Sequence, residues 1–315
     1  MSPSTRGATR IGPVTFAWGA RTYLMGILNV TPDSFSGDGL LLGGSAPPGD
    51  IGTARRAAPG PVDAAPRAAG ADDAVEGAVA RARRMVDEGA DILDIGGEST
   101  RPGHAPVDDA EELARVVPVI RAIRAALPDT PISVDTTKPA VAAAALDAGA
   151  DCINDVWGTG SSDEMPHLAA ERGAAYVMMH NRREARYVDV VREVIADLQH
   201  GMDRAMVAGV PWESIVVDPG IGFGKTMEHN LVLLHHLADL SALGRPILLG
   251  TSRKSTIGRV LGGLPPDERL EGTLATTALG IAARVDIVRV HDVLPNARVA
   301  RMCDAIVRIE EEARA

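Results

Sequence analysis

Polar side chains that could do chemistry cluster just after short apolar runs in this sequence. The stretch NVTPDSFSGDG (29–39) follows an apolar run and carries an asparagine, two aspartates, two serines and a proline. A plain turn needs only about two such residues. Seven further apolar runs end in a similar way, so we interpret these ends together as one composite site. The strand-end residues are Asn29, Asp33, Asp94, Glu98, Asp135, Asn154, Asp155, His180, Asp218, Ser252, Lys254, Arg289 and His291.

The residue types at these ends indicate two kinds of ligand group. Asp135, Asn154 and Asp218 offer carboxylate and amide groups, which suit a planar heterocycle with an amino group beside a ring N–H. A second set is cationic and suits phosphate oxygens: Arg101, Lys254, Arg289 and His291. Three glycine-rich stretches beside them would let the backbone approach a flat ligand or a phosphate: GGESTRPG (96–103), DPGIGFGK (218–225) and LLGTSRK (248–254). GIGFG lies too far along the chain for a dinucleotide fingerprint, which belongs to the first βαβ unit.

The elements that must position these residues alternate regularly between strand and helix patterns. Apolar residues at helical spacing occur in 75–86 and again in 116–123. Near-continuous apolar strands that alternate with helices predict a parallel sheet covered by helices. Eight such units predict an α/β fold closed into a (β/α)8 barrel, with a doubly wound open sheet as the alternative. The predicted strands are 23–30, 91–98, 131–137, 151–156, 175–180, 214–220, 246–252 and 286–292.

Two segments depart from this alternation, although we expect residues 1–315 to form one barrel domain. The stretch VTFAWGARTY (14–23) predicts a short N-terminal hairpin over the bottom of the barrel. Residues 39–70 contain 20 Gly, Pro or Ala among 32 positions, which predicts a disordered loop insertion after the first strand. A long loop at the top of a barrel can also be an active-site lid, and both interpretations stay open.

Composition excludes several classes of partner. With 42 acidic and 32 basic residues the net charge is −10, which argues against nucleic-acid binding. Cys152 and Cys303 are too few for a metal or disulfide framework and are typical of a reducing compartment. No apolar stretch reaches the roughly 18 residues that span a bilayer, and the N-terminus lacks a signal-peptide pattern. We therefore expect a cytoplasmic protein with small-molecule substrates and no membrane or nucleic-acid partner.

Seven motifs resemble, in order, those of the dihydropteroate synthase family, over residues 23–293. They are MGILNVTPDSFS, DIGGESTRPG, ISVDTTK, INDVWG, VVDPGIGFGK, GTSRKS and RVHDV. The resemblance implies a (β/α)8 barrel enzyme of folate synthesis, a sulfonamide target and a homodimer. It would condense 6-hydroxymethyl-7,8-dihydropterin diphosphate with p-aminobenzoate, giving 7,8-dihydropteroate and pyrophosphate, with Mg²⁺ as cofactor.

The resemblance also implies residue roles. The pterin would be bound by Asp135, Asn154, Met179, Asp218, Phe223 and Lys254. Pyrophosphate would be bound by Asn29, Arg101, Arg289 and His291, with Asn29 also on Mg²⁺. The p-aminobenzoate pocket would comprise Thr100, Pro102, Phe223 and Ser252. The catalytic residues would be Asp33, Lys254, Arg289 and His291.

The implied mechanism is physically reasonable. An arylamine is a weak nucleophile, so the enzyme gains most by stabilising departure of pyrophosphate with Mg²⁺, Arg289 and His291. Positive charge on the pterin would lie near Asp33, which gives a dissociative displacement without a covalent enzyme intermediate. Arg289 and His291 should share the barrel mouth near Asn29, away from the pterin ring. We interpret His180 as a structural strand-end residue rather than a base.

Two alternatives have to be weighed against the synthase. A pterin-dependent methyltransferase domain would share the pterin contacts, but it would not need GTSRKS, STRPG or RVHDV, which are all present. A noncatalytic pterin-binding paralogue should have lost motif residues, and none is missing. We expect the insertion at 39–70 to be longer than the family usually has there. The sequence therefore predicts an active synthase.

Overall fold

The computed structural model describes residues 7–30, 71–98, 107–160 and 162–309. Two strands, β1 (Ala8–Ile11) and β2 (Val14–Ala17), pair as an antiparallel hairpin. Eight more strands alternate with helices, and each lies within one of the eight predicted segments. They are β3 (Tyr23–Asn29), β4 (Ile92–Gly96), β5 (Ile132–Asp135), β6 (Cys152–Asp155), β7 (Ala175–Met179), β8 (Ile215–Asp218), β9 (Leu248–Leu249) and β10 (Ile287–Val290).

The eight strands form one parallel sheet that closes on itself. Their order is β8-β7-β6-β5-β4-β3-β10-β9, and every pair is parallel. A parallel bridge between Val217 and Ile247 joins the two outer strands, and the Val217 N–H donates to the Pro246 carbonyl at 3.0 Å. The closed barrel is confirmed, and the doubly wound open sheet is excluded.

Helices surround the barrel in the described part of the chain. Residues 116, 119, 120 and 123, the second predicted apolar stripe, are fully buried. In the first stripe only Ala82 is fully buried, and Ala78 and Met85 complete the contact with the sheet. The helices are α1 (Ala71–Asp87), α2 (Asp109–Ala126), α3 (Pro139–Asp147), α4 (Glu164–Arg172), α5 (Val190–Val207), α6 (Met227–His235), α7 (Ser255–Val260), α8 (Leu270–Ala282) and α9 (Val293–Val307).

The predicted N-terminal hairpin exists, but its predicted bounds are wrong. It covers 8–17 and turns at Gly12, whose φ of +57° is left-handed, rather than covering 14–23. The first strand, ATRI, has too little apolar character to be recognised from sequence. The predicted position is confirmed, because Ile11, Phe16 and Trp18 pack on Tyr23 and other residues near the N-terminal ends of the barrel strands. The hairpin therefore seals the end of the barrel opposite the strand exits.

Strand pleating assigns every second residue to the barrel interior. In β4, Leu93 and Ile95 belong to the core between sheet and helices, whereas Ile92 belongs to the inner core behind the hairpin. Asp94 therefore faces inward above Ile92. The same alternation applies to β6, where Cys152 lies in the inner core and Ile153 in the outer core. In both strands the next inward side chain after the inner core, Asp94 or Asn154, therefore lies near the C-terminal end of the strand, at the barrel mouth.

The predicted loop insertion at 39–70 lies outside the described residues. In the part of the chain that is described, no helix combines the length and the apolar character needed to cross a membrane.

Candidate active site

Inward-facing polar residues form a bonded network above the inner core. Arg289 on β10 donates from Nε to Asp94 and from an Nη atom to Asp135, each at 2.5 Å. Asn154 on β6 donates its amide N–H to Asp94 at 3.1 Å. Because β10 and β5 are separated by β3 and β4 in the sheet, these bonds must cross the barrel interior. The fold thus brings together four residues that are distant in sequence.

Arg289 lies on the strand beside β3, as expected, but its side chain makes contacts that the sequence did not indicate. Sequence reasoning set it beside His291 and Asn29, toward a diphosphate and away from the pterin ring. Its guanidinium instead lies on the Asp94 and Asp135 carboxylates, and these carboxylates raise its pKa above the usual range although burial opposes this. The diphosphate role of Arg289 stays a proposal. Its contact with Asp135 means that Arg289 also shapes the expected pterin pocket.

Acceptor capacity remains in this network for a ligand. The Oδ1 atoms of both Asp94 and Asp135 are buried and have no hydrogen-bond partner among the described residues. Burial raises the pKa of Asp135 to about 7, while Arg289 opposes the shift. A buried carboxylate oxygen without a donor is costly, so a ligand with adjacent N–H groups would be stabilised here. The sequence placed Asp94 among the strand-end residues of the composite site but indicated no ligand contact for it, although the strand pleat could have done so.

Asp218 and Lys254 complete the inner wall beside Gly250. A side chain at Gly250 would start 3.7 Å from Asp218 Oδ2 and 3.9 Å from Lys254 Nζ, so both groups face the same point. Asp218 Oδ1 accepts the Gly220 N–H at 2.7 Å, and burial raises its pKa. Lys254 Nζ donates to the Ile221 carbonyl, and burial lowers its pKa to about 8. A ligand here would meet one carboxylate acceptor and one ammonium donor.

The ends of β9 and β10 bring Ser252 and His291 together. Their Oγ and Nδ1 atoms are 3.0 Å apart, and the His291 N–H donates to Ser252 Oγ at 3.1 Å. Arg253 between the site residues has a left-handed φ of +57° and is held by two hydrogen bonds to Asp292. A non-glycine residue in this region is strained by about 1–3 kcal/mol, and such strain concentrates at functional sites.

Three strand-end residues make contacts within the protein scaffold, although Glu98 among them also lines the cavity beside Asp135. Asp155 faces away from the barrel interior and accepts from the Trp157 N–H at 2.9 Å and the Tyr176 hydroxyl at 2.8 Å. Glu98 binds Lys138 Nζ at 2.7 Å, and this ammonium also binds Glu112. The third, His180, is fully buried, as expected of a structural residue.

His180 lies between a lysine and a carboxylate. Lys225 Nζ donates to Nδ1 at 2.9 Å, so Nε2 carries the proton and donates to Asp197 at 3.0 Å. Burial, and secondly the charge of Lys225, lowers the pKa of His180 to about 4. Neutral His180 is therefore a fixed link between the end of β7, helix α5 and the loop that carries Lys225.

We expect His180 to make stability depend on pH in the acid range. Since the unfolded state binds a proton near pH 6.5 and the folded state only near pH 4, the free energy of unfolding falls as the pH drops through that window, by up to about 3 kcal/mol. His180→Gln cannot titrate and lacks this component. Urea unfolding from pH 7 to pH 4.5 should show the stability gap between wild type and variant narrowing. A constant gap would contradict the buried neutral imidazole.

A cavity of about 540 Å³ opens beside Asp135 at the barrel mouth. Phe223 lines it, and its ring centroid lies 4.4 Å from Lys254 Nζ. Met179 is buried at the end of β7 in register with Asp218, and Asn29 is half-buried at the end of β3. Four predicted site residues lie outside the described residues: Asp33, Thr100, Arg101 and Pro102.

The described chain is a (β/α)8 barrel whose buried inward carboxylates could accept hydrogen bonds from the N–H groups of a ligand. Residues 67–291 match the family described as pterin binding enzyme. The dihydropteroate synthase of Clostridium beijerinckii is 46% identical over 300 residues, which is 95% of this chain and 99% of that protein. The chain belongs to the dihydropteroate synthase family of pterin-binding enzymes.

Two solved structures of this family resemble the fold closely. The dihydropteroate synthase of Clostridium difficile, crystallised in the presence of pteroic acid, has a TM-score of 0.80 and 46% identity, over 93% of this chain and 100% of that one. The dihydropteroate synthase of Xanthomonas albilineans with 4-aminobenzoic acid has a TM-score of 0.80 and 36% identity, over 96% of this chain and 100% of that one. Each match covers more than nine tenths of this chain.

Proposed function

We propose that this chain is an active dihydropteroate synthase. It condenses 6-hydroxymethyl-7,8-dihydropterin diphosphate with p-aminobenzoate and releases pyrophosphate. The observation that carries the proposal is the set of acceptors at the barrel mouth, where Asp94 and Asp135 each keep a buried oxygen that accepts from no donor in the described part of the chain. Family membership supports the choice of a pterin as the donor-rich ring.

The pterin would lie between the two acceptor groups of the pocket. Asp218 would accept from the amino group and ring N–H of the pterin, and Lys254 would donate to a ring acceptor. Asp135 and Asn154 would bind the opposite edge, with Met179 against a ring face. Desolvation makes each such bond stronger than it would be in water. The described contacts support this orientation because Asp218 and Lys254 share one wall, while Asn154 is joined to Asp135 through Asp94 and Arg289.

The side chain of Asn29, the residue proposed to bind Mg²⁺, is a suitable ligand for this ion. Asn29 offers an amide oxygen at the end of β3, and Mg²⁺ usually takes only one or two protein oxygens beside substrate phosphates and water. No cluster of three or more His, Cys, Asp or Glu side chains suited to a metal occurs in the described ranges, so the diphosphate would supply most ligands. When bound, the ion would neutralise charge on the leaving pyrophosphate.

The chain's own residues would stabilise the leaving group and place the amine. Arg289 and His291 would direct N–H donors at the diphosphate, and stabilisation would grow as negative charge develops there. Phe223 and Ser252 would line the p-aminobenzoate pocket. Asp33, Thr100, Arg101 and Pro102 keep the roles that the family resemblance implies. No covalent enzyme intermediate is needed, because the arylamine attacks the exocyclic carbon directly.

A homodimer in the cytoplasm is part of the proposal. Exposed apolar residues near the C-terminal helix support self-association, with Ile306 61% and Ile309 57% exposed. Cys152 and Cys303 are both free thiols, as suits a reducing compartment.

The decisive experiment is a pyrophosphate-release assay with the purified protein. Release should require both the pterin diphosphate and p-aminobenzoate, and 7,8-dihydropteroate should form in equal amount. Binding of the pterin without product would identify the noncatalytic paralogue. Methyl transfer from a methylated folate to a corrinoid would identify the methyltransferase. Growth of a strain lacking its own synthase provides an independent readout.

A further inference from the structure

The loop between β8 and α6 is organised around the ammonium group of Lys225. Its Nζ donates to the carbonyls of Gly220 and Phe223, each at 3.0 Å, and to His180 Nδ1 at 2.9 Å. An ammonium has three N–H donors, so all of them are used. The side chain of Lys225 thus binds the loop at two points and fastens it to the end of β7.

The fit between this loop and the end of β7 is tight. Gly220 has a left-handed φ of +68°, and a Cβ there would lie 1.9 Å from the His180 carbonyl oxygen. On the other side, the Tyr187 hydroxyl donates to the Gly224 carbonyl at 2.9 Å. The loop backbone therefore rests directly on the chain that follows β7, and Lys225 Nζ lies at the centre of this contact.

The loop carries groups that face the pocket. The Phe223 ring packs on Lys254 Nζ at 4.4 Å, and a Cβ at Gly222 would lie 2.9 Å from the Lys254 side chain. Gly222, Phe223 and Gly224 all line the cavity at the barrel mouth. A displacement of the loop would therefore move Phe223 and alter the cavity wall.

We propose that Lys225 is a positioning residue that sets the place of the Phe223 ring and thereby the affinity for the arylamine substrate. Lys225 acts through the loop and touches neither substrate. Among the described residues, the arylamine pocket rests on Phe223 and Ser252 alone. The pterin has further partners on strand ends that the loop does not carry. This inference rests on the proposed synthase function.

Loss of the ammonium should loosen the loop without removing the barrel. A methionine has nearly the same length but no N–H donor, so the Gly220 and Phe223 carbonyls would lose a buried donor. Asp218 is held separately, because its carbonyl accepts the His180 N–H at 2.9 Å in the strand ladder. The pterin contacts of Asp135, Asn154 and Asp218 should therefore persist while the Phe223 ring loses its fixed position.

Lys225→Met tests the inference against a matched control. Arg245 is another buried cation that donates to backbone carbonyls, those of Ile215 and Glu213 at 3.0 Å, but at the opposite end of β8. In Lys225→Met the KM for p-aminobenzoate should rise about tenfold, with the KM for the pterin diphosphate changed less than about threefold. Arg245→Met should lower the melting temperature and leave both KM values near those of wild type.

A double-mutant cycle separates positioning from general destabilisation. Phe223→Ala alone should raise the KM for p-aminobenzoate. Adding Lys225→Met to Phe223→Ala should raise this KM little further, because Lys225 acts only by holding the Phe223 ring that is already absent. Additive effects, equal shifts in both KM values, or a Lys225→Met profile matching Arg245→Met would overturn the inference. Absence of synthase activity in wild type would instead refute the proposed function.

Discussion

Replacing Arg289 with alanine should slow turnover of the pterin diphosphate by about two orders of magnitude or more, since it removes charge stabilisation that grows as pyrophosphate departs. The structure adds a second consequence. Without the guanidinium, the buried Asp94 and Asp135 carboxylates lose their ion-pair partner. Removing one member of a buried ion pair lowers the free energy of unfolding by about 3–5 kcal/mol. Arg289→Ala should therefore also weaken binding of the bare hydroxymethyl pterin, contrary to the expectation from sequence that the pterin ring is unaffected.

A second substitution in the same network separates the two roles of Arg289. Asp94→Asn removes the charge of one of the two carboxylates that Arg289 neutralises. The double variant Arg289→Ala/Asp94→Asn should therefore be more stable than Arg289→Ala and recover part of the pterin affinity. Pyrophosphate release in single turnover should stay slow if Arg289 acts on the leaving group. If turnover recovers together with pterin affinity in the double variant, Arg289 acts only by neutralising the pocket carboxylates, and its proposed role on the diphosphate is wrong.

Asp218→Asn should keep the fold and weaken pterin binding by about 1–3 kcal/mol, because a charge-assisted hydrogen bond becomes neutral and a misplaced donor is introduced. The pKa of Asp218 is raised by burial, so its carboxylate is poorly solvated before a ligand arrives. Calorimetric titration with hydroxymethyl pterin measures the loss. Unchanged affinity in a folded variant would remove Asp218 from the pterin site.

Asp155→Asn is the matched control for Asp218→Asn. Asp155 is also a fully buried carboxylate at a strand end, but it faces the outer layer and accepts from Trp157 and Tyr176. Its substitution should lower the melting temperature and leave the pterin titration unchanged. A comparable loss of affinity in both variants would mean that the titration reports general destabilisation.

The sequence was most informative about elements and least informative about contacts between them. All eight barrel strands were predicted because each is an apolar run bounded by polar or glycine residues, and local chemistry decides this. The barrel closure followed from the number of repeats. The hairpin bounds were missed, since ATRI buries only Thr9 and Ile11 and depends on tertiary packing for its strand conformation.

Residue identity by itself determined which groups are available at the barrel mouth, because parallel strands in a barrel all end on one face. Only the tertiary structure decided which of them meet. Asn154 and Asp155 are neighbours in the chain, yet pleating turns Asn154 toward Asp94 and Asp155 toward Tyr176. Arg289 reaches Asp94 and Asp135 because closure of the sheet brings β10 within side-chain reach of strands that are about 150 to 200 residues earlier. Such pairings depend on register and curvature, which no local pattern encodes.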